Sequence, residues 1–183
     1  MTASPAFLRP AATALFAGAV LALSSLSAQA GSANAVAQAA YDEASQLFER
    51  ENYPAAVAAY DRALAADPAF KSALQDRGLA KLRGGDYAGA AADFSTLIAR
   101  AKAPEETDEA YAYRGQARAG LKDYAGALAD LGRAIELCPT CSYFYFNRGK
   151  VRLQMGAKTE AKADLTEAAD RGVEEAMELL EGL

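Results

Sequence analysis

The chain has 183 residues, 52% apolar and 23% charged, an ordinary balance for a folded domain with a sizeable core. Its net charge of −5 and the lack of a long basic run argue against nucleic acid as a partner. It has no histidine, the commonest general base and zinc ligand, and two cysteines in all. No nucleophile elbow, phosphate loop or carboxylate pair stands out, so neither enzyme activity nor a cofactor or metal is expected.

Residues 1–30 carry one charge, Arg9, then an apolar run from Ala11 to Leu23, then a serine-rich stretch and Ala28-Gln29-Ala30. That order is a charged region, an apolar region and a small-x-small cleavage site. The run is shorter than the ~20 residues that span a bilayer. The sequence therefore predicts a signal peptide cleaved after Ala30, an exported chain in a bacterial periplasm, and membrane contact during export alone. Residues 31–36 read as a short linker.

Beyond the linker the chain repeats itself. "ENYPAAVAAYDRALAADP" (51–68), "GDYAGAAADFSTLIARAK" (85–102) and "KDYAGALADLGRAIELCP" (122–139) align without gaps. A second segment precedes each, "QDRGLAKLRG", "AYRGQARAG" and "FNRGKVRLQMG" matching one another. The pattern predicts helices at 35–50, 54–66, 71–83, 87–100, 105–120, 124–137, 142–155, 159–171 and about 173–181. Small residues recur twelve apart, as Ala44/Ala56, Gly78/Ala90, Gly115/Ala127 and Gly149/Ala161. Large ones flank them: Tyr60, Phe94, Leu131 and Leu165 on second helices, Leu74, Tyr111 and Tyr145 on first helices. Two helices approach closely where both lack bulk and interlock beside it. Pro68 and Pro139 follow second helices.

In phase, these small, aromatic and proline positions resemble the tetratricopeptide repeat (TPR) family over about 37–175. The resemblance implies an all-α, right-handed superhelix (an α-solenoid) with a concave inner face. It implies a scaffold without activity of its own that binds peptide segments or assembles complexes. The units run 37–70, 71–107 (with a three-residue insertion), 108–141 and 142–172, with a short cap at 173–183. Ala44 replaces the usual glycine, Lys158 the aromatic and Val173 the proline. On the cap, Val173, Met177 and Leu180 share one face and are expected to cover the end of the stack.

Arg77 and Asp93, Arg114 and Asp130, and Arg148 and Asp164 recur at a separation of sixteen. They read as structural ion pairs joining the two helices of a unit, worth under ~1 kcal/mol each if exposed. Lys81, Arg118 and Arg152 follow four residues later with no evident partner. Cys138 and Cys141 straddle the turn between the third and fourth units. A haem site needs histidine after Cys141, and zinc needs further soft ligands. A disulfide staple, free thiols or a redox pair remain. An oxidising compartment and the placement of Cys138 at a helix C-terminus, where the dipole disfavours thiolate, favour the staple.

The staple leads directly into Tyr143, Phe144, Tyr145 and Phe146. Four consecutive rings cannot share one helix face. Tyr145 is expected in the core, Phe144 on the third unit, and Tyr143 and Phe146 on the inner face. That face is read as Gln38, Tyr41, Ser45, Gln75, Leu79, Gln116, Tyr143, Phe146 and Lys150, a groove rich in amides and rings that suits an extended peptide. The last helix or a second copy could instead cover it. Rival readings are a thiol–disulfide protein using Cys138 and Cys141, and a subunit that self-associates through its thin C-terminal cap.

Overall fold

The computed structural model describes residue 31 and residues 34–183; the expected signal segment lies outside them. Among the described residues nine α-helices follow one another: α1 (34–49), α2 (Tyr53–Ala66), α3 (Lys71–Arg83), α4 (Tyr87–Arg100), α5 (Asp108–Gly120), α6 (Tyr124–Leu137), α7 (Ser142–Gln154), α8 (Lys158–Asp170) and α9 (Glu174–Glu181). No strand occurs among them. Most bounds fall within a residue of those expected. The exception is α5, which starts at Asp108 because Pro104–Glu106 form a turn of 3₁₀ helix in the insertion.

Each first helix ends the same way. Glu51, Gly85, Lys122 and Gly156 take left-handed φ of 58°, 85°, 62° and 77°. The next residue then reaches back with its N–H to a carbonyl five residues earlier, as from Asp123 to Arg118 at 2.9 Å. That next residue is also the N-cap of the following helix. Asn52, Asp86 and Asp123 accept from Ala55, Gly89 and Gly126 at 3.4, 2.9 and 3.0 Å. Ala157, at the fourth such position, offers no side-chain cap.

Helices pack in antiparallel pairs on small residues. A Cβ on Gly115 would lie 2.9 Å from Leu131 Cγ and 3.1 Å from the Ala127 carbonyl oxygen. Gly78 meets the Phe94 ring and Gly149 meets Leu165 in the same way. Tyr60, Phe94, Leu131 and Leu165 are fully or almost fully buried. Removing such a side chain costs about 2–5 kcal/mol.

The Arg–Asp pairs join the two helices of their units as expected, and they are buried clamps, so the small value that holds for exposed pairs does not apply. Asp93, Asp130 and Asp164 are each 4% exposed. Each takes a two-pronged arginine, at 2.9 and 2.6 Å from Arg77, 2.8 and 2.7 Å from Arg114, and 2.9 and 2.7 Å from Arg148. The hydrogen bonds to aspartate raise these arginine pKa values further, against the opposing effect of burial. Lys81, Arg118 and Arg152 do have partners: they bind the same aspartates at 2.9, 2.8 and 2.6 Å. One carboxylate thus holds two cations from one turn of the facing helix. Arg77 also reaches Asp61 at 2.6 Å and Arg114 reaches Ser95 at 3.2 Å, tying consecutive pairs together. In the first pair, Glu43 bonds the exposed Arg62 instead.

A second link recurs on the turn side. Arg100 donates to the Pro68 carbonyl at 2.8 Å, and Arg171 to the Pro139 carbonyl at 2.7 Å. At the C-terminal end, Val173 and Ala176 are buried against Phe146, Leu165 and Ala168. Met177 is 45% exposed, so the buried face of α9 runs through Ala176 and not Met177 as expected. No helix among the described residues is long and apolar enough to cross a membrane.

Candidate functional site

The first helices of successive pairs, α3, α5 and α7, lie side by side. Between them runs a groove of ~580 Å³. Leu82 and Arg83 close one end, Tyr113 and Gln116 form the floor, and Tyr143, Asn147 and Lys150 form the far wall. Tyr113 is fixed by stacking on Phe94, with ring centres 5.3 Å apart. Burial pushes its phenol pKa up, Glu109 adds to the rise and Arg83 opposes it. Tyr143 is 55% exposed and meets Phe146 edge-on at 6.2 Å. Lys150 Nζ lies 5.0 Å over the Phe146 ring. Among the described residues, Gln116, Asn147 and Gln154 make no side-chain hydrogen bond to the protein, so their amides face the groove unengaged.

The N-terminal stretch of the same face is different. The Tyr41 hydroxyl donates to Asp76 at 2.6 Å, and its ring packs on Tyr60 and Phe70. Gln38 donates to Asp42 at 2.8 Å and Gln75 to Glu109 at 3.2 Å. Ser45 donates to the Tyr41 carbonyl at 3.0 Å. Ser45 and Leu79 line a smaller hollow of ~180 Å³. Of the nine residues assigned to the inner face by sequence, Gln116, Tyr143, Phe146 and Lys150 line the main groove.

Phe146 requires a correction. It is 9% exposed and belongs to the apolar cluster with Leu165 and Val173, so it is a wall of the groove and not an exposed anchor. Along the groove, Tyr143, Lys150 and Gln154 of α7 are exposed and Asn147 is half-buried, so Asn147 takes the place expected for Phe146 between Tyr143 and Lys150. Phe144 packs against α5 and α6 with Ala112 and Leu131. Tyr145 lies between Arg148 and Arg171, 5.7 and 5.1 Å from its ring, and donates to the Pro139 carbonyl at 3.2 Å. Tyr113 was not singled out by sequence. Its signal was alignment with Asn147 in the next unit, a position held by a polar or aromatic residue in both.

Cys138 caps the end of α6 and Cys141 the start of α7, with sulfurs 2.00 Å apart. Asp108 brings a carboxylate oxygen within 4.8 Å of both sulfurs. The sulfurs are joined to each other, so neither is a thiolate ligand for a metal. The negative Asp108 and the C-terminal dipole of α6 both disfavour a thiolate at Cys138 after reduction.

Antiparallel helix pairs, three of the four joined by a buried clamp, with a groove across their first helices, define a helical repeat solenoid of the protein-interaction class. Two tetratricopeptide repeat models match, over residues 41–95 and 108–141. Over these stretches the chain carries tetratricopeptide repeats. It is similar in fold to MamA 41-end from Desulfovibrio magneticus RS-1, with TM-score 0.67, 20% identity, and 74% of this chain and 75% of that one covered. It is similar to TTC0263, a thermophilic TPR protein of Thermus thermophilus, with TM-score 0.58, 25% identity and 74% of each chain covered. The first TPR of Spaghetti (RPAP3), solved bound to the HSP90 peptide SRMEEVD, matches with TM-score 0.59 and 24% identity over 67% of this chain and 95% of that one. No curated protein sequence matches the chain significantly.

Proposed function

We propose that the chain is a non-catalytic interaction module which holds an extended segment of a partner protein in the groove between α3, α5 and α7. The observation that carries this reading is the set of unengaged groups there: the amides of Gln116, Asn147 and Gln154 beside the exposed ring of Tyr143. An extended chain presents backbone N–H and C=O groups that such amides can pair, and side chains that rings can hold. The peptide-bound RPAP3 domain supports a peptide ligand for this fold. The sequence of residues 1–30 supports export and action in a periplasm after cleavage at Ala30. The Asp108 carboxylate beside the cysteines speaks for a structural bridge over a thiol–disulfide activity.

The test is selection of extended peptides from a random library on the mature chain. Selected peptides should bind the Tyr143→Ala, Asn147→Ala double variant at least about tenfold more weakly, since anchors of this type contribute about 2 kcal/mol. Undiminished binding by the double variant would remove the groove from the account. Mass spectrometry of the native protein should find Gly31 as its first residue; an intact leader in a membrane fraction would reject export by cleavage.

A further inference from the structure

A second cavity lies on the turn side of the second helix pair and shares no lining residue with the groove. Its volume is ~680 Å³, its floor is Leu74 and Leu97, and its rim carries Lys71, Arg100 and Lys102 against one acid, Glu106. The corresponding place in the fourth pair is filled. There Tyr145 stands where Leu74 stands in the second. Arg171 holds the Pro139 carbonyl as Arg100 holds that of Pro68. The guanidinium of Arg171 sits 5.1 Å from the Tyr145 ring, and the Tyr145 hydroxyl shares the same proline carbonyl. The third pair also carries a tyrosine at this position, Tyr111, whose ring meets the clamp arginine Arg114 at 5.2 Å as Tyr145 meets Arg148; Leu137 stands there in the place of Arg100 and Arg171. The second pair alone of these three has a leucine, and its arginine lacks the ring.

Two further features shape the opening. The insertion folds as the 3₁₀ turn Pro104–Glu106, which adds an outer wall. The rim carries three cations on a chain whose net charge is −5. Lys71 meets Glu106 at 3.4 Å with both side chains more than two-fifths exposed, a weak pair that an incoming carboxylate can displace.

We infer that this cavity takes an aromatic side chain of a partner polypeptide whose neighbouring residues are acidic. The ring lies on Leu74 and Leu97 under Arg100, in the place Tyr145 occupies under Arg171. The flanking carboxylates meet Lys71 and Lys102. Charge complementarity and an internal copy of the bound arrangement both select this ligand over an apolar or basic one.

The experiment is an NMR titration of the mature chain with acetyl-Glu-Tyr-Glu-amide, with acetyl-Glu-Ala-Glu-amide and acetyl-Lys-Tyr-Lys-amide as controls. The expected result is saturable shifts confined to residues 68–74 and 97–106, with both controls at least about tenfold weaker. Leu74→Tyr supplies the missing ring from within and should abolish the shifts; Arg100→Gln should weaken binding about fivefold or more. If Leu74→Tyr does not fold, as judged by circular dichroism, Arg100→Gln decides. Overturning results are no saturable shift at millimolar peptide, equal binding of the alanine or lysine control, or undiminished binding by whichever variant is folded. Shifts centred on α5 and α7 would also overturn this site while leaving the groove intact.

Discussion

The two halves of the inner face are both built on the first helices of the repeat and differ in how their polar side chains are engaged. In the N-terminal half, Tyr41 bonds Asp76, Gln38 bonds Asp42 and Gln75 bonds Glu109. In the C-terminal half, Gln116, Asn147 and Gln154 face an open groove beside Tyr143. The clamp aspartates of the second, third and fourth pairs are equally buried, while the first pair has the exposed Glu43–Arg62 bond in place of a clamp. What differs is whether a polar side chain finds a partner on its own or the next helix. In a solenoid, the repeat sets the frame and single side chains decide which stretch of it stays available.

The largest expected effects test the common frame. Asp164→Ala should destabilise by about 3–5 kcal/mol, because it leaves two cations facing a partly buried gap, and Asp93→Ala by somewhat less, because Arg77 keeps its bond to Asp61. Chemical denaturation reads this, and a negligible loss in either variant would break the premise that the clamps hold both halves on one scaffold. Next comes the groove. Tyr143→Ala with Asn147→Ala should lower affinity for a selected peptide at least about tenfold, whereas Gln38→Ala with Gln75→Ala should leave it within about twofold. Calorimetric titration distinguishes these, and equal losses would erase the contrast.

The bridge is a smaller contribution confined to the C-terminal half. Cys141→Ser should cost about 2 kcal/mol at most, the scale of closing so short a loop, and should weaken peptide binding less than the groove variants do. A stability left unchanged with function abolished would point to redox chemistry.

The smallest effect belongs to Tyr41. Its pKa is raised from 10.0 to about 12, first by its hydrogen bond to Asp76 and then by burial. A phenol held neutral in the fold adds stability that is whole below pH 10 and is lost as pH rises through about 12. Ultraviolet titration should therefore lose its latest-ionising tyrosine in Tyr41→Phe, at a cost of about 1 kcal/mol at neutral pH. An unchanged titration curve would deny the bond.

The helices, their pairing and the Arg–Asp spacing of sixteen were legible because they recur in phase, so a packing rule in one unit is checked by the next. The second cation of each clamp was not. Lys81 and Asp93 are twelve apart, and whether a side chain reaches depends on how the helices cross. The N-caps Asn52, Asp86 and Asp123 carried a readable signal, a short polar residue just before a tyrosine-led helix. The face of α7 was misjudged by one residue. Phe146 turns inward where α9 lays Val173 and Ala176 beside it, as Ala112 is buried thirty-four residues earlier. Met177 aligns with Tyr143, thirty-four residues earlier, and shares its exposure.

The central claim is that the C-terminal half of the inner face holds the ligand. The direct measurement is an NMR map of the binding of a peptide selected on residues 31–183. The account predicts shifts concentrated in residues 112–120 and 143–154, with α1 and residues 71–76 of α3 unmoved. Shifts concentrated in α1, around Tyr41 and Ser45, would contradict it.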